Sequence, residues 1–371
     1  MDSKSALRTR LENLSPEQRA ALLQQISRAR QQQGQQHESR PSAGSRYPLS
    51  LAQRRLWILS QLGSEANAAY NIASAFCFDK GLDPERLSRA WRQLLGGHEV
   101  LRSNFAQEGD ELFQTPRNAA EWVMHKHKLR SDQDVEAQLL DLASTEAAKP
   151  FDLLQDWLLK VIYCATDKGQ AGLIVVIHHS VCDGLSITSM IQEVVQYYEA
   201  IVDSSTTASA EVNAGLPALQ YRDYVEYEAR ADTSKARAYW KDIFASAPET
   251  LDALLDLPRP VLKDFRGSSV AMTLATPDAS AFEAFCHAHN ATLYMGLVAL
   301  VQLLLARFAN VGEVTLGTPV AGRPGAQFDK VVGPFVNTVA LRQTVDCQQT
   351  FPKLLLQVRR RVLEGFQHQG L

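Results

Sequence analysis

The sequence predicts a mixed α/β (α+β) protein built as two lobes, and three observations carry that prediction. The chain has 371 residues, enough for two lobes that each bury a hydrophobic core. From Tyr47 onward, short β-branched apolar runs alternate with stretches of helical periodicity. A Ser/Thr/Ala-rich stretch at 203–215 offers a crossing between the two halves.

In chain order, residues 3–30 predict two short helices. Leu7, Leu11 and Leu14 share a face, and Ser15-Pro16-Glu17-Gln18 supplies an N-cap, a first-turn proline and a capping-box glutamine. Leu22, Leu23 and Ile26 continue the apolar stripe. The Gln/Ser/Gly-rich residues 31–45 predict a flexible linker. The chain thus divides into a helical docking or linker segment (1–45), a first lobe (46–212) and a second lobe (213–371). Residues 71–78 predict a strand, and Asp83 with Pro84 caps a helix running to about Leu95. Residues 158–164 and 172–177 predict a hairpin around Asp167-Lys168-Gly169, followed by a helix over 185–201. The second lobe opens with helical residues 221–245. A strand at 268–276 follows, then a helix capped by Asp278 and ending near His289. Residues 292–308 predict a strongly apolar helix buried on most faces, and 314–319 and 336–342 predict strands around the loop Gly322-Arg323-Pro324-Gly325.

Composition narrows the function classes. A net charge of −3, without a Lys/Arg block, gives no reason to expect a nucleic-acid partner. No run approaches the length of a membrane span, and the first residues lack the apolar centre of a signal peptide. Five cysteines without paired spacing argue against a disulfide framework. Together these features fit a cytoplasmic protein. His287 and His289 lie two apart with no carboxylate–histidine set at ligand spacing, so no metal site is expected. Residues 313–319 lack the pattern of a phosphate loop.

Chemistry concentrates in His178-His179-Ser180-Val181-Cys182-Asp183-Gly184. The run follows an apolar strand, so two imidazoles emerge where that strand stops and point to opposite faces. Only one of them can look into a given cavity. A histidine there suits general-base work, because its ordinary pKa of roughly 6.5 lies near working pH. Cys182 has the look of a nucleophile but reads better as a small apolar filler.

This stretch resembles the HHxxxDG motif of the condensation domains of nonribosomal peptide synthetases, relatives of chloramphenicol acetyltransferase. Four further segments match in order. They are Ser50-Leu51-Ala52-Gln53-Arg54-Arg55-Leu56-Trp57, His98-Glu99-Val100-Leu101-Arg102-Ser103-Asn104-Phe105, Tyr221-Arg222-Asp223-Tyr224 and Val332-Gly333-Pro334-Phe335-Val336-Asn337-Thr338. Pro150-Phe151-Asp152-Leu153 is family-like as well.

The resemblance implies two chloramphenicol-acetyltransferase-like lobes in a V-shaped pseudo-dimer, with a tunnel between them. It implies formation of an amide bond, by attack of a carrier-bound aminoacyl amine on an upstream acyl or peptidyl thioester. His179 is then the catalytic group, facing the tunnel, while His178 points away as a structural residue. Asp183 is expected to hold the turn by pairing with an arginine, with Arg102 as the expected partner. Gly184 leaves room for a thiol-linked arm, and Ser186 and Asn337 line the substrate tunnel. Tyr221, Asp223 and Tyr224 read as lobe packing. The chain is expected to bind no cofactor of its own, the phosphopantetheine arms belonging to donor and acceptor peptidyl carrier proteins. Residues 3–30 would dock an upstream synthetase subunit.

Two departures stand out. Gly97 replaces an arginine that usually precedes the second motif's histidine, which removes one possible ion pair. The chain also stops at His368-Gln369-Gly370-Leu371, where a sixth family motif begins, so the second lobe is expected to be incomplete and the fragment weak or inactive alone. Competing readings are an epimerisation domain, whose family pattern after the motif differs, and a non-catalytic module that binds carriers or tailoring enzymes, which usually loses the second histidine. Cyclisation domains replace both histidines, so His178-His179 argues against them.

Overall fold

A computed structural model describes residues 45–371, apart from 79, 204–218, 252–254, 259, 261–264 and 266. The expected docking segment and the expected interlobe crossing therefore lie outside the described residues. A two-residue strand, β1 (Tyr47–Pro48), leads into α1 (Leu51–Ser60), whose N-cap Ser50 forms a reciprocal capping box with Gln53. Then come α2 (Ser64–Ala68), β2 (Asn71–Phe78) and α3 (Pro84–Gly97), the last capped by Asp83 with proline in the first turn, as expected. A hairpin of β3 (Ser103–Glu108) and β4 (Glu111–Pro116) turns on Gly109, where φ is +61°. A glycine at that position relieves the clash a side chain would bring to the left-handed region.

Next come β5 (His125–Lys128), α4 (Val135–Ala147), β6 (Leu159–Ala165), β7 (Ala171–His178) and α5 (Gly184–Asp203). The central sheet runs β2-β7-β6-β5, with β7 antiparallel to both neighbours and β5 parallel to β6. Every residue of β7 is buried, as a central strand covered on both faces requires. The helical stretch expected at 221–245 is two helices, α6 (Tyr221–Arg230) and α7 (Ser234–Ile243). The remaining elements are α8 (Thr276–Ala288), α9 (Leu293–Ala309), the antiparallel pair β8 (Glu313–Val320) and β9 (Asn337–Thr344), and α10 (Phe351–Gln367).

Among the described residues, two hydrophobic cores result. The first runs from Tyr47 through Val225 and includes Phe328, Val331, Val332 and Phe335; the second is built from Cys286 through Val362. The segment around Phe335 thus leaves the second half of the sequence and packs in the first core.

Three expectations fail here. Residues 268–275 have strand-like alternation but pair with no strand among the described residues, leaving Val270 and Met272 at 95% and 83% exposure. A strand forms only where a neighbour completes its ladder, and β8 and β9 pair with each other. Asp278 lies inside the first turn of α8 and is not its cap, because Pro277 lets the helix start at Thr276. Helix α9 buries Met295, Val298, Ala299 and Ala306 but exposes Leu297, Leu304 and Phe308, so it is covered on one side only. Its composition is apolar all round, and composition does not say which faces find a neighbour. Among the described residues no single helix is long and apolar enough to cross a membrane.

Candidate active site

β7 delivers the motif. His178, its last residue, is fully buried, with its Nδ1 2.7 Å from Ser180 Oγ and its ring edge-on to Phe151. His179 is half-buried, and its main-chain N–H donates to the Tyr70 carbonyl at 2.8 Å. Nδ1 of His179 is buried without a hydrogen-bond partner among the described residues. Strand alternation thus puts one imidazole in the core and leaves its neighbour half-buried. Burial pulls His178 down to about 4, with the neighbouring His179 acting in the same sense and the Asn67 main chain opposing them. His178 is therefore neutral at physiological pH.

That shift predicts an acid-sensitive fold. The folded state holds His178 below its ordinary 6.5, so it resists the proton that the unfolded chain accepts. The stabilisation is complete above about pH 6.5 and is lost as pH falls toward 4, by on the order of 3 kcal/mol. Melting temperature measured from pH 7 to pH 4.5 should fall, and His178→Ala should start lower and fall less steeply.

Asp183 is fully buried and accepts four hydrogen bonds, from Ser186 N (2.8 Å), Phe335 N (3.2 Å) and both terminal nitrogens of Arg323 (2.9 and 3.1 Å). The Ser186 bond is an N-cap bond at the start of α5. Arg102, the expected partner, is not the one the fold supplies. It stands at the end of a short 3-10 turn and donates to the Arg117 carbonyl, near the buried Arg222–Glu99 ion pair. Arg323 sits in the Gly-Arg-Pro-Gly loop, 140 residues from Asp183, with its guanidinium 4.3 Å over the Phe335 ring. Gly322 permits that approach: φ is +64°, and a Cβ there would meet the Phe335 carbonyl oxygen at 1.8 Å. Sequence reading missed Arg323 because nothing local marks an arginine in a turn as the partner of a distant carboxylate.

Ser186, expected in the tunnel lining, is buried in this same knot. Its hydroxyl accepts from Gly333 N and from Arg323, and it donates to the Gly333 carbonyl. Gly184 is exposed at the start of α5, where an added Cβ would meet nothing within 4 Å. Cys182 is fully buried; burial pushes its thiol well above its ordinary value, and its Sγ rests 3.5 Å from Met190 Sδ. That environment is an apolar filler's, not an activated nucleophile's.

The remaining motifs close around this centre. Ser50 Oγ and Tyr221 Oη lie 2.8 Å apart, and Tyr221 donates to the Pro334 carbonyl at 3.0 Å. Tyr221 and Tyr224 both pack against Phe335, in keeping with their reading as lobe packing. His98 of the second motif is buried 2.9 Å from Glu193 of α5, and Gln220 donates to the carbonyl of Gly97.

Asn337 lines a cavity of about 420 Å³ together with Leu51, Arg55, Tyr224, Arg323 and Phe335. Its side-chain oxygen accepts from Arg55 at 3.3 Å. His179 and Ser186 are not among the walls of that cavity, which meets the motif only through Arg323. Among the described residues no cluster of three or more His, Cys, Asp or Glu side chains could hold a metal ion.

A buried carboxylate–arginine anchor thus presents a half-exposed histidine at the end of a central strand, which defines an HHxxxDG domain of mixed α/β architecture. A family model, the condensation domain, matches residues 44–371, and the chain belongs to that family. It is 34% identical over 330 residues to a linear gramicidin synthase of Brevibacillus parabrevis, covering 87% of this chain and 4% of that protein. It is 32% identical over 330 residues to surfactin synthase subunit 1 of Bacillus subtilis (strain 168), covering 87% and 9%. The chain thus spans a small part of the curated relatives it matches. Among solved structures, the first condensation domain of the CDA synthetase superposes with a TM-score of 0.69 at 22% identity, covering 89% of this chain and 76% of that one. The X-domain from teicoplanin biosynthesis superposes at 0.77 with 21% identity, covering 90% and 72%. These likenesses bear out the chloramphenicol-acetyltransferase-like fold.

Proposed function

We propose that this domain joins two carrier-bound groups through an amide bond. The amine of an aminoacyl group attacks the carbonyl of an acyl or peptidyl thioester, the tetrahedral adduct collapses, and the amine's proton leaves with the departing thiolate as a thiol. The observation that carries this reading is the pairing at the end of β7, a buried neutral His178 beside a half-exposed His179 whose main chain is pinned. His179 handles the amine's proton or orients the attacking nitrogen. The thioesters ride on phosphopantetheine arms of donor and acceptor peptidyl carrier proteins, and the chain supplies no cofactor of its own. The reading places the domain in the cytoplasm, a compartment with which its five free cysteines are compatible.

The direct test offers the protein an acyl-loaded donor carrier and an aminoacyl-loaded acceptor carrier. The amide product should appear on the acceptor. Carrier binding without transfer would favour the second reading, a recruiting module; a fold neighbour of this chain, the X-domain from teicoplanin biosynthesis, is solved in complex with OxyB.

Residues 3–30, whose apolar stripe suits a partner helix, are proposed to contact an upstream subunit. Deleting residues 1–40 should then abolish transfer from the upstream carrier, leave the melting temperature unchanged and be rescued by high carrier concentration. A lower melting temperature with a proportionate loss of transfer would assign the segment to the fold.

A further inference from the structure

Ser180, the residue after His179, is fully buried and held by three hydrogen bonds to two partners. Its hydroxyl and its main-chain N–H both lie against His178 Nδ1, at 2.7 and 3.2 Å. Its carbonyl accepts from the side-chain amide of Gln53, on α1, at 3.1 Å. Gln53 is itself fully buried, and its amide faces that of Gln114 on β4 in a reciprocal pair of bonds at 3.0 and 2.7 Å. The Gln53 side-chain oxygen also accepts from Ser50 N at 3.1 Å, and Gln114 reaches the Pro48 carbonyl at 3.2 Å. Both amide hydrogens of Gln53 therefore have acceptors, so its orientation admits no alternative that keeps these bonds. The capping box of α1 uses the Gln53 side-chain oxygen and main-chain N–H but leaves its side-chain amide nitrogen unaccounted for. A buried amide pair reaching a carbonyl 127 residues away does more than cap a helix.

We propose that Gln53 is a positioning residue for His179: with Gln114 as its brace, it fixes the Ser180 carbonyl and so sets the direction in which the His179 imidazole leaves the strand. The chain of contacts runs Gln114, Gln53, Ser180, His178, and His179 lies between its last two members in sequence. The Tyr70 carbonyl holds the main-chain N–H of His179 from the other side, so the residue is pinned at both flanks. Losing the Gln53 bond frees the peptide plane between Ser180 and Val181, and the backbone dihedrals of Ser180 that it held relax, which turns the adjoining His179 and its imidazole. The catalytic consequence rests on the condensation reading, but the geometric one does not.

The test uses Gln53→Met, which keeps length and volume and removes both donors, and Gln114→Met, which leaves Gln53 its bond to Ser180 but takes away its brace. Imidazole ¹⁵N spectra of the histidine-labelled chain, with the His179 signal assigned by its loss in His179→Ala, are recorded alongside melting curves. Both variants should shift or broaden the His179 signal while leaving that of His289, which packs on Phe285 in the second core, in place. With loaded carriers, kcat should fall roughly 10- to 100-fold at unchanged KM, as misplacement of a reacting group produces. An unmoved His179 signal in a variant that melts at lower temperature would overturn the proposal and leave Gln53 a packing residue. If Gln53→Met does not fold, Gln114→Met decides on the same criterion. If the His179 signal moves but neither these variants nor His179→Ala slow condensation, the geometric positioning stands and the catalytic role of His179 falls; if the unaltered protein forms no amide while the signal still moves, positioning stands and the condensation reading falls.

Discussion

Replacing His179 with alanine should reduce amide formation by at least about a hundredfold while leaving the fold intact, the size expected when a general base or a positioning group is removed. The structure explains why the two effects separate. His179 is half-buried, its anchoring bond to the Tyr70 carbonyl comes from main chain that alanine retains, and its buried Nδ1 has no hydrogen-bond partner among the described residues to strand. His178→Ala is the contrasting case. It opens a cavity against Phe151 and removes the acceptor for Ser180, so yield and melting temperature should suffer first. The measurement is single-turnover condensation between loaded carriers, with melting curves on the same samples. A near-normal rate for His179→Ala would remove that residue from the chemistry.

Asp183→Ala should fail through structure. The carboxylate is fully buried and held by four donors, so its removal leaves the Arg323 guanidinium, 6% exposed, without its charge partner and strips acceptors from Ser186 N and Phe335 N. Breaking a buried pair in this way costs about 3–5 kcal/mol. Arg323→Ala should cost a similar amount, since it strands the more deeply buried partner. The two losses should not add, because either substitution already breaks the same interaction. Replacing both by leucine should therefore recover part of the loss. Thermal melts and soluble yield decide the matter. An Asp183→Ala protein that melts normally and does not turn over would make Asp183 catalytic instead.

Much of the first lobe was legible because its signals are local. The strand over 71–78, the Asp83-Pro84 helix start and the hairpin leading to the motif each depend on alternation, capping or turn chemistry within a few residues, and each formed as expected. Helix α10, which is not among the elements expected from the sequence, nonetheless carries a local signal, since Leu354, Leu355, Val358 and Val362 repeat at helical spacing. Strand β5 was not legible. Its four residues, His-Lys-His-Lys, are all exposed and carry no apolar pattern; they form a strand because β6 offers them a ladder. Residues 268–275 show the converse, with the right alternation and no partner among the described residues.

The sequence by itself determined the family, the strand that carries the motif and the divergence of its two histidines, because these follow from residue order and a period of two. Only the tertiary structure decided what holds the motif in place. Arg323 displaced Arg102 as the partner of Asp183, Ser186 joined that knot in place of a tunnel wall, and Gln53 reached Ser180 across 127 residues. A buried charge or amide takes whichever partner the packing brings within hydrogen-bond distance at the lowest desolvation cost, and spacing along the chain does not encode that choice.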